Sequence, residues 1–325
     1  MGCGRIGTRH AAIIAQQAHL AGVCDINEAR ASAFADKYQV PCFFSLDDML
    51  ESSIDADVLS ICTPNGLHAA HTLKGLKKKL HVLCEKPMAL TTSDAAAMIS
   101  TAAAVQKKLF VVKQNRYNPP VVALKKMLDE NRLGKIYSVQ LACFWNRDNA
   151  YYKNSWKGKL GEDGGTLFTQ FSHFIDVLYW MFGEVKTIQA MLKNSAHQQV
   201  IDFEDNGVAI MEFENGILCS LHYTVNAFKK NMEGSLTVFG EKGTVKIGGQ
   251  YLNEMEYMQV QDYILPDMPA GNPPNSYGHY EGSMSNHAEV YTHTIDTIQS
   301  AENKVTNSFE SLKTVEIIER IYTYR

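Results

Sequence analysis

The feature that most constrains this chain is its opening turn, Gly2-Cys3-Gly4-Arg5-Ile6-Gly7, a G-x-G-x-x-G that runs into a helix-compatible stretch from Thr8 to His19. In such a turn the first glycine permits a tight reversal, the second lets backbone approach a pyrophosphate, and the third lets helix pack on strand. The phosphates would sit at the N-terminus of the Arg5–His19 helix, where N–H groups and the dipole favour an anion. The fold that presents this turn is a doubly wound parallel sheet, which needs a central strand before Gly2. The sequence begins at Met1, so the expectation is a sheet lacking its first strand, with the start of the chain truncated.

Asp25 follows Gly7 at the end of the second predicted strand. A carboxylate there can accept both adenosine-ribose hydroxyls and repels a 2′-phosphate, and the neighbouring Ile26 and Asn27 offer no arginine to receive one. NAD is therefore expected over NADP. The competing reading is a strand-end Asp that only caps the next helix.

The remaining pattern divides in two, as a length of 325 residues leads one to expect. Short apolar runs at Leu20–Cys24, Val40–Phe44, Val58–Thr63, His81–Cys84 and Leu109–Gln114 alternate with amphipathic stretches, which implies βαβ units. After Asn118-Pro119-Pro120 the runs lengthen and alternate. Gly207–Phe213 and Ile217–Val225, joined by Glu214-Asn215-Gly216, read as a hairpin, and a helix from Phe168 to Phe182 interrupts the series. The expected fold is α/β plus α+β: a Rossmann doubly wound parallel sheet over residues 1–117, then a mostly antiparallel open sheet with helices on one face over residues 118–325. Pro266–Gly282 reads as a long loop whose Tyr277, His279 and Tyr280 could close over a ligand.

Charge and composition remove several classes. Lys+Arg number 31 against 35 Asp+Glu, a net charge of −4, and the one basic run, Lys77-Lys78-Lys79, reads as the solvated end of an amphipathic helix, which argues against nucleic acid. No run approaches the roughly 20 apolar residues that span a bilayer, so no membrane partner is expected. The seven cysteines include no C-x-x-C pair, which points to reduced thiols in a cytoplasmic protein and no metal site. An open apolar sheet face would be buried in a homodimer or homotetramer.

At Val82-Leu83-Cys84-Glu85-Lys86-Pro87, preceded by Cys62-Thr63-Pro64-Asn65 and His68, the chain resembles the Gfo/Idh/MocA dehydrogenases over essentially its whole length. The resemblance implies NAD contacts from Gly2, Gly4, Arg5, Ile6, Gly7, Asp25, Thr63, Pro64, Asn65, His68, Glu85 and Lys86. It places Lys86 beside the nicotinamide and the reacting hydroxyl, where a cation can stabilise developing alkoxide character. The segment Gly164-Gly165-Thr166 to Asp176 looks like the family's glycine-rich approach to a helix whose His faces the nicotinamide, making His173 the candidate general base. By itself, a His among Phe171, Phe174 and Ile175 reads as a core histidine. Many members carry Asp or Asn four residues before this His and Gly two before it. Here these are Thr169 and Phe171, so Lys86 and His173 are left to do the proton work, with Asp176 structural.

Asn115-Arg116-Tyr117-Asn118-Pro119, Trp145, Arg147, Tyr151-Tyr152, Ser155-Trp156-Lys157-Gly158 and Gln170 further resemble the WlbA/WbpB group, which oxidises the 3-hydroxyl of UDP-N-acetylglucosaminuronic acid for bacterial surface polysaccharides. This implies substrate contacts from Lys86, Asn115, Arg116, Tyr117, Tyr152, Trp156, Lys157, Gln170 and His173. A diphosphate and a carboxylate need cations, which Arg116, Arg147, Lys153, Lys157 and Lys159 could supply. Tyr151, Tyr152 and Trp156 could stack on uracil or sugar, with core packing the plainer role of each. The alternatives are oxidation of a free sugar or inositol by the same pair, and a non-catalytic dinucleotide-binding regulator.

Overall fold

The computed structural model describes all residues except 154, 277–280 and 301–306. The chain divides into two compact units, Met1–Val112 with His287–Val315, and Lys113–Asn286 with Glu316–Arg325. It therefore crosses between units after Val112, after Asn286 and again after Val315, which a single boundary at residue 118 does not express.

The first unit carries five parallel strands, β1 (Val23–Cys24), β2 (Cys42–Phe43), β3 (Val58–Ile61), β4 (His81–Cys84) and β5 (Leu109–Val111). They form two ladders, β1-β2 and β3-β4-β5. Met1 and Gly2 lie between these ladders. The Gly2 N–H donates to the Cys24 carbonyl at 2.7 Å, and the Met1 carbonyl accepts from the Cys62 N–H at 2.8 Å. The place of the expected central strand is thus held by two residues, and the order reads β2-β1, residues 1–2, β3-β4-β5. Val82, Leu83 and Cys84 are fully buried, as the middle of a sheet covered on both faces requires. The strands end sooner than their apolar runs because ladder pairing, rather than apolarity, sets strand ends.

The helix Arg5–Gln17 starts at Gly4 with no side-chain cap. Gly2 holds φ +93°, and a Cβ there would lie 2.6 Å from the Cys62 carbonyl oxygen. A Cβ on Gly7 would collide with the carbonyl oxygen of Gly2, whereas one on Gly4 would meet nothing within 4 Å.

The second unit is built on β6 (Ile136–Phe144), β7 (Val185–Lys193), β8 (Asn206–Phe213), β9 (Leu218–Thr224), β10 (Glu233–Gly240), β11 (Gly243–Gly248) and β12 (Glu254–Val260). Their order is β12-β11-β10-β6-β9-β8-β7. Every pairing is antiparallel except β6 with β9, which is parallel. The β8–β9 hairpin turns at Asn215-Gly216, where Gly216 holds φ +83°. One face receives the helix Ser172–Phe182: a Cβ on Gly234 would lie 2.8 Å from the Phe174 ring, so the glycine makes room for it. The opposite face exposes Met191, Val208, Ile210 and Leu218. Within the segment read as a loop, Pro274–Ser276 pairs with Glu281–Met284, while Tyr277, His279 and Tyr280 lie outside the described residues. Among the described residues no helix is long and apolar enough to cross a membrane.

The helix expected from Phe168 to Phe182 is two pieces, a π-turn Leu167–Phe171 and an α-helix Ser172–Phe182. Its approach is fixed by backbone that needs glycine, Gly164 at φ +87° and Gly165 at φ +129°. The last residues of the chain grip it. The Tyr322 hydroxyl accepts the Leu167 N–H at 2.8 Å and donates to Glu204 Oε1 at 2.7 Å. Arg325 donates to the Gly164 carbonyl at 3.0 Å and to Glu204 Oε2 at 3.0 Å. Asp163 completes the support: its Oδ2 accepts the Gly158 N–H at 2.8 Å and its Oδ1 accepts the Thr169 hydroxyl.

Burial raises the Asp163 carboxyl to about 6, against the pull of those hydrogen bonds. Because the unfolded carboxyl titrates near 3.9, the folded state holds a proton between about pH 4 and 6 that the unfolded chain has released. Stability contributed by this group is thus present below pH 4 and lost as pH rises through 6. In Asp163→Asn the amide can still accept from Gly158 and bond Thr169, so the variant should gain on wild type by roughly 2 kcal/mol between pH 4 and pH 7 in urea unfolding. Gly7→Ala should destabilise by at least about 2 kcal/mol in the same assay, while Gly4→Ala stays within about 1 kcal/mol of wild type.

Candidate active site

In the first unit the glycine turn and Asp25 are joined. The buried Asp25 carboxylate accepts the Cys3 N–H at 2.7 Å through Oδ2 and the Asn27 N–H at 2.8 Å through Oδ1. The next helix, Glu28–Tyr38, is capped by Asn27, whose side chain accepts the Arg30 N–H at 3.0 Å, so Asp25 is not the cap. A carboxylate offers about four lone-pair sites, and two bonds leave room for hydroxyl donors. The open space at Gly4, the helix N-terminus without a side-chain cap and this carboxylate together fit a dinucleotide: backbone donors for a pyrophosphate at one end, an acceptor for ribose at the other.

Two further segments of the unit are locked together by His68. Its Nδ1 lies 2.6 Å from the Pro87 carbonyl and its Nε2 lies 2.8 Å from the Thr63 carbonyl, so the imidazole braces the Thr63-Pro64 loop against the Lys86-Pro87 turn. Burial lowers its pKa, although both carbonyls favour the protonated ring. Asn65 is buried, Thr63, Pro64, Ile6 and Lys86 are half-buried, and Arg5 is exposed. The Lys86–Pro87 peptide is cis. Glu85 points away from solvent: Oε2 accepts the Lys86 N–H at 3.1 Å, and Oε1 lies 2.9 Å from His10 Nε2.

In the second unit His173 is buried in the first turn of the helix Ser172–Phe182. Gln170 links two aromatic-flanked groups, accepting from Arg147 Nε at 2.8 Å and donating to the Tyr151 hydroxyl at 2.8 Å. Arg147 also donates to Asn231 Oδ1 at 3.0 Å and lies 5.1 Å from the Trp145 and Tyr151 ring centroids. The Lys157 ammonium sits 3.8 Å from the Tyr151 ring centroid. The Asn115 carboxamide is 1% exposed, and among the described residues neither its oxygen nor its nitrogen has a hydrogen-bond partner.

Other substrate candidates are held by the protein itself. Arg116 makes a bidentate pair with Asp176, at 2.7 Å for both Nε and Nη2, and Lys113 adds a third bond at 2.8 Å. Burial works to raise the Asp176 carboxyl, but these two cations hold it well below the carboxylate range. Tyr152 belongs to a buried cluster with Tyr151, Ile201 and Phe203. Trp156 and Tyr117 are half-buried, and Lys153 and Lys159 are exposed. Sequence reading passed over His10, Ser60, His287 and Tyr291 around Glu85, and Lys113 beside Asp176. Only His10 carried a local signal, standing three residues after Gly7 on the same helix face.

The profile described as "oxidoreductase family, NAD-binding Rossmann fold" (Gfo/Idh/MocA) matches residues 1–113, and that of the family's C-terminal domain matches residues 121–246. The WlbA dehydrogenase of Bordetella pertussis, solved with NADH and UDP-GlcNAcA, is 32% identical with a TM-score of 0.87, covering 99% of this chain and 94% of that one. The WlbA dehydrogenase of Chromobacterium violaceum, in complex with the same two ligands, is 34% identical with a TM-score of 0.90, covering 99% and 91%. The glucose-6-phosphate 3-dehydrogenase of Bacillus subtilis is 25% identical, covering 99% of this chain and 94% of its own length. The chain belongs to the Gfo/Idh/MocA family of oxidoreductases.

Proposed function

We propose that this chain oxidises the 3-hydroxyl of UDP-N-acetylglucosaminuronic acid, with NAD as acceptor, in the cytoplasmic synthesis of bacterial surface-polysaccharide sugars. The observation that carries this reading is the likeness above 30% identity, over 99% of the chain, to two WlbA dehydrogenases solved with that nucleotide sugar. The unsatisfied Asn115 carboxamide supports a polar ligand, since a buried amide without partners is costly until something bonds it.

Gly4, Arg5, Ile6 and Gly7 offer backbone N–H groups to the pyrophosphate, Gly2, its own N–H held by the Cys24 carbonyl, gives the turn its shape, and Asp25 takes the adenosine ribose. Thr63, Pro64, Asn65 and Glu85, braced by His68, shape the pocket leading to Lys86. When bound, NAD supplies the nicotinamide carbon that accepts the hydride. The Lys86 ammonium hydrogen-bonds the reacting hydroxyl and stabilises its alkoxide character, and the His173 imidazole removes the hydroxyl proton. Asn115 bonds the sugar, Gln170 is oriented by Arg147, Lys157 answers the substrate's negative charge, and Trp156 and Tyr117 offer rings to the substrate. Arg116 and Tyr152 act indirectly, through the helix of His173 and the cluster under Tyr151. Self-association through the exposed Met191, Val208, Ile210 and Leu218 would give the homodimer or homotetramer.

A second reading, oxidation of a free sugar or inositol, has its own support in curated relatives at 25% identity, among them the inositol 2-dehydrogenase of Rhizobium meliloti. A panel of UDP-sugar uronates and free polyols with NAD, read at the NADH absorbance, should give turnover on the nucleotide sugar; turnover on polyols alone would reverse the choice. With the accepted substrate, Lys86→Ala and His173→Ala should each cut turnover by roughly 10²–10⁴-fold and leave NAD affinity near wild type. Asp25→Ala should weaken NAD binding and relax discrimination against NADP in a titration of both cofactors.

A further inference from the structure

Behind the Lys86 turn lies a buried polar cluster around Glu85, whose other members the reaction as written does not use. Glu85 Oε1 stands 2.9 Å from His10 Nε2 and 3.4 Å from His287 Nε2. On its other side His10 Nδ1 lies 2.8 Å from the Tyr291 hydroxyl and 2.9 Å from the Ser60 hydroxyl, and these two hydroxyls are 2.8 Å apart. All five side chains belong to the first unit, and His10, Glu85 and His287 are nearly or wholly excluded from solvent.

The elements that meet here are informative. His10 comes from the helix that begins at the glycine turn, Glu85 directly precedes Lys86, and His287 and Tyr291 come from the helix His287–Gln299. Burial works to raise the Glu85 carboxyl, yet the hydrogen bond from His10 and the His287 imidazole 3.4 Å away hold it well below its ordinary value. Burial likewise lowers His10, but Cys62, Tyr291 and Glu85 carry it well above its ordinary value, whereas His287 is lowered by burial despite Glu85. His10 and Glu85, 2.9 Å apart, form a buried acid–imidazole pair. Such a pair in the interior is strongly disrupted when one partner is removed.

The three ligand-capable atoms lie within 4.8 Å of one another, the spacing of a metal site. Two ligands of one tetrahedral zinc, each about 2.0–2.1 Å from the ion, stand about 3.3 Å apart. The 2.9 Å between His10 and Glu85 is instead a hydrogen bond.

We propose that His10 and His287 are positioning residues for Lys86: His10 by its hydrogen bond to the Glu85 carboxylate and His287 by packing 3.4 Å from the same oxygen, they fix the Lys86 N–H and so the root of its ammonium chain. This rests on the role given to Lys86 above. The expected consequence is a loss of turnover without a loss of binding, because misplacing a catalytic group by about 1 Å can cost on the order of 10²-fold in rate.

The test uses the full-length protein with NAD and UDP-N-acetylglucosaminuronic acid. Glu85→Gln keeps the shape of the side chain and removes its charge, and His287→Asn removes the ring packed beside it. Each should lower kcat by roughly 10–100-fold while KM for both ligands stays within about twofold. Unchanged kcat in folded variants, with Lys86→Ala inactive, overturns the positioning role and leaves Lys86 its own. Full turnover by Lys86→Ala overturns both. Wild-type protein labelled with ¹⁵N-lysine supplies a measurement that needs neither variants nor turnover. The Lys86 amide should be protected from hydrogen exchange, and rapid exchange there would sink the proposal.

Discussion

The carbonyl oxygen of Gly2 occupies the space in which any other residue at position 7 would carry its Cβ. Much of the first unit follows from that contact. With helix and turn pressed together, the helix N-terminus opens toward the empty side of Gly4, and the Cys3 N–H falls on Asp25. The turn is thereby tied to the end of β1, and Gly2 itself is pinned between Cys24 and Cys62. Absent side chains, rather than attractive contacts, give the turn its shape, and the hydrogen bonds then lock it.

What the sequence discloses and what it conceals divide along physical lines. Local chemistry was legible. The glycine turn, the Asn215-Gly216 hairpin and the buried runs of β3 and β4 each announce themselves within a few residues, because steric permission and side-chain periodicity act at short range. Long-range choices were not. The parallel pairing of β6 with β9 and the π-turn before Ser172, whose Leu167 N–H is met by Tyr322, depend on partners far along the chain. The grip of Arg325 on Glu204, 121 residues away, has no signature in either segment.

The candidate site teaches a related lesson. A resemblance identifies positions, but the fold decides which way each side chain is committed. Arg116, expected to meet substrate charge, spends its fork on Asp176, and no motif spacing reveals a pairing across 60 residues. His68 is taken up at both nitrogens by backbone carbonyls, and Tyr152 is sealed among Tyr151, Ile201 and Phe203. Asn115 shows the reverse: its amide is buried and, among the described residues, unanswered, which no sequence pattern reveals.

The return of His287–Val315 to the first unit has a consequence for synthesis on the ribosome. Translation delivers Met1–Val112 first, then the whole of Lys113–Asn286, and only afterwards the helix His287–Gln299 that brings Tyr291 to His10. At about 5–20 residues per second the nascent first unit waits on the order of ten seconds or more for its last helix. During that interval Glu85 and His10 lack two of their buried neighbours. Any product terminated before residue 287 lacks both the Tyr291 hydroxyl that meets His10 and the His287 ring beside Glu85.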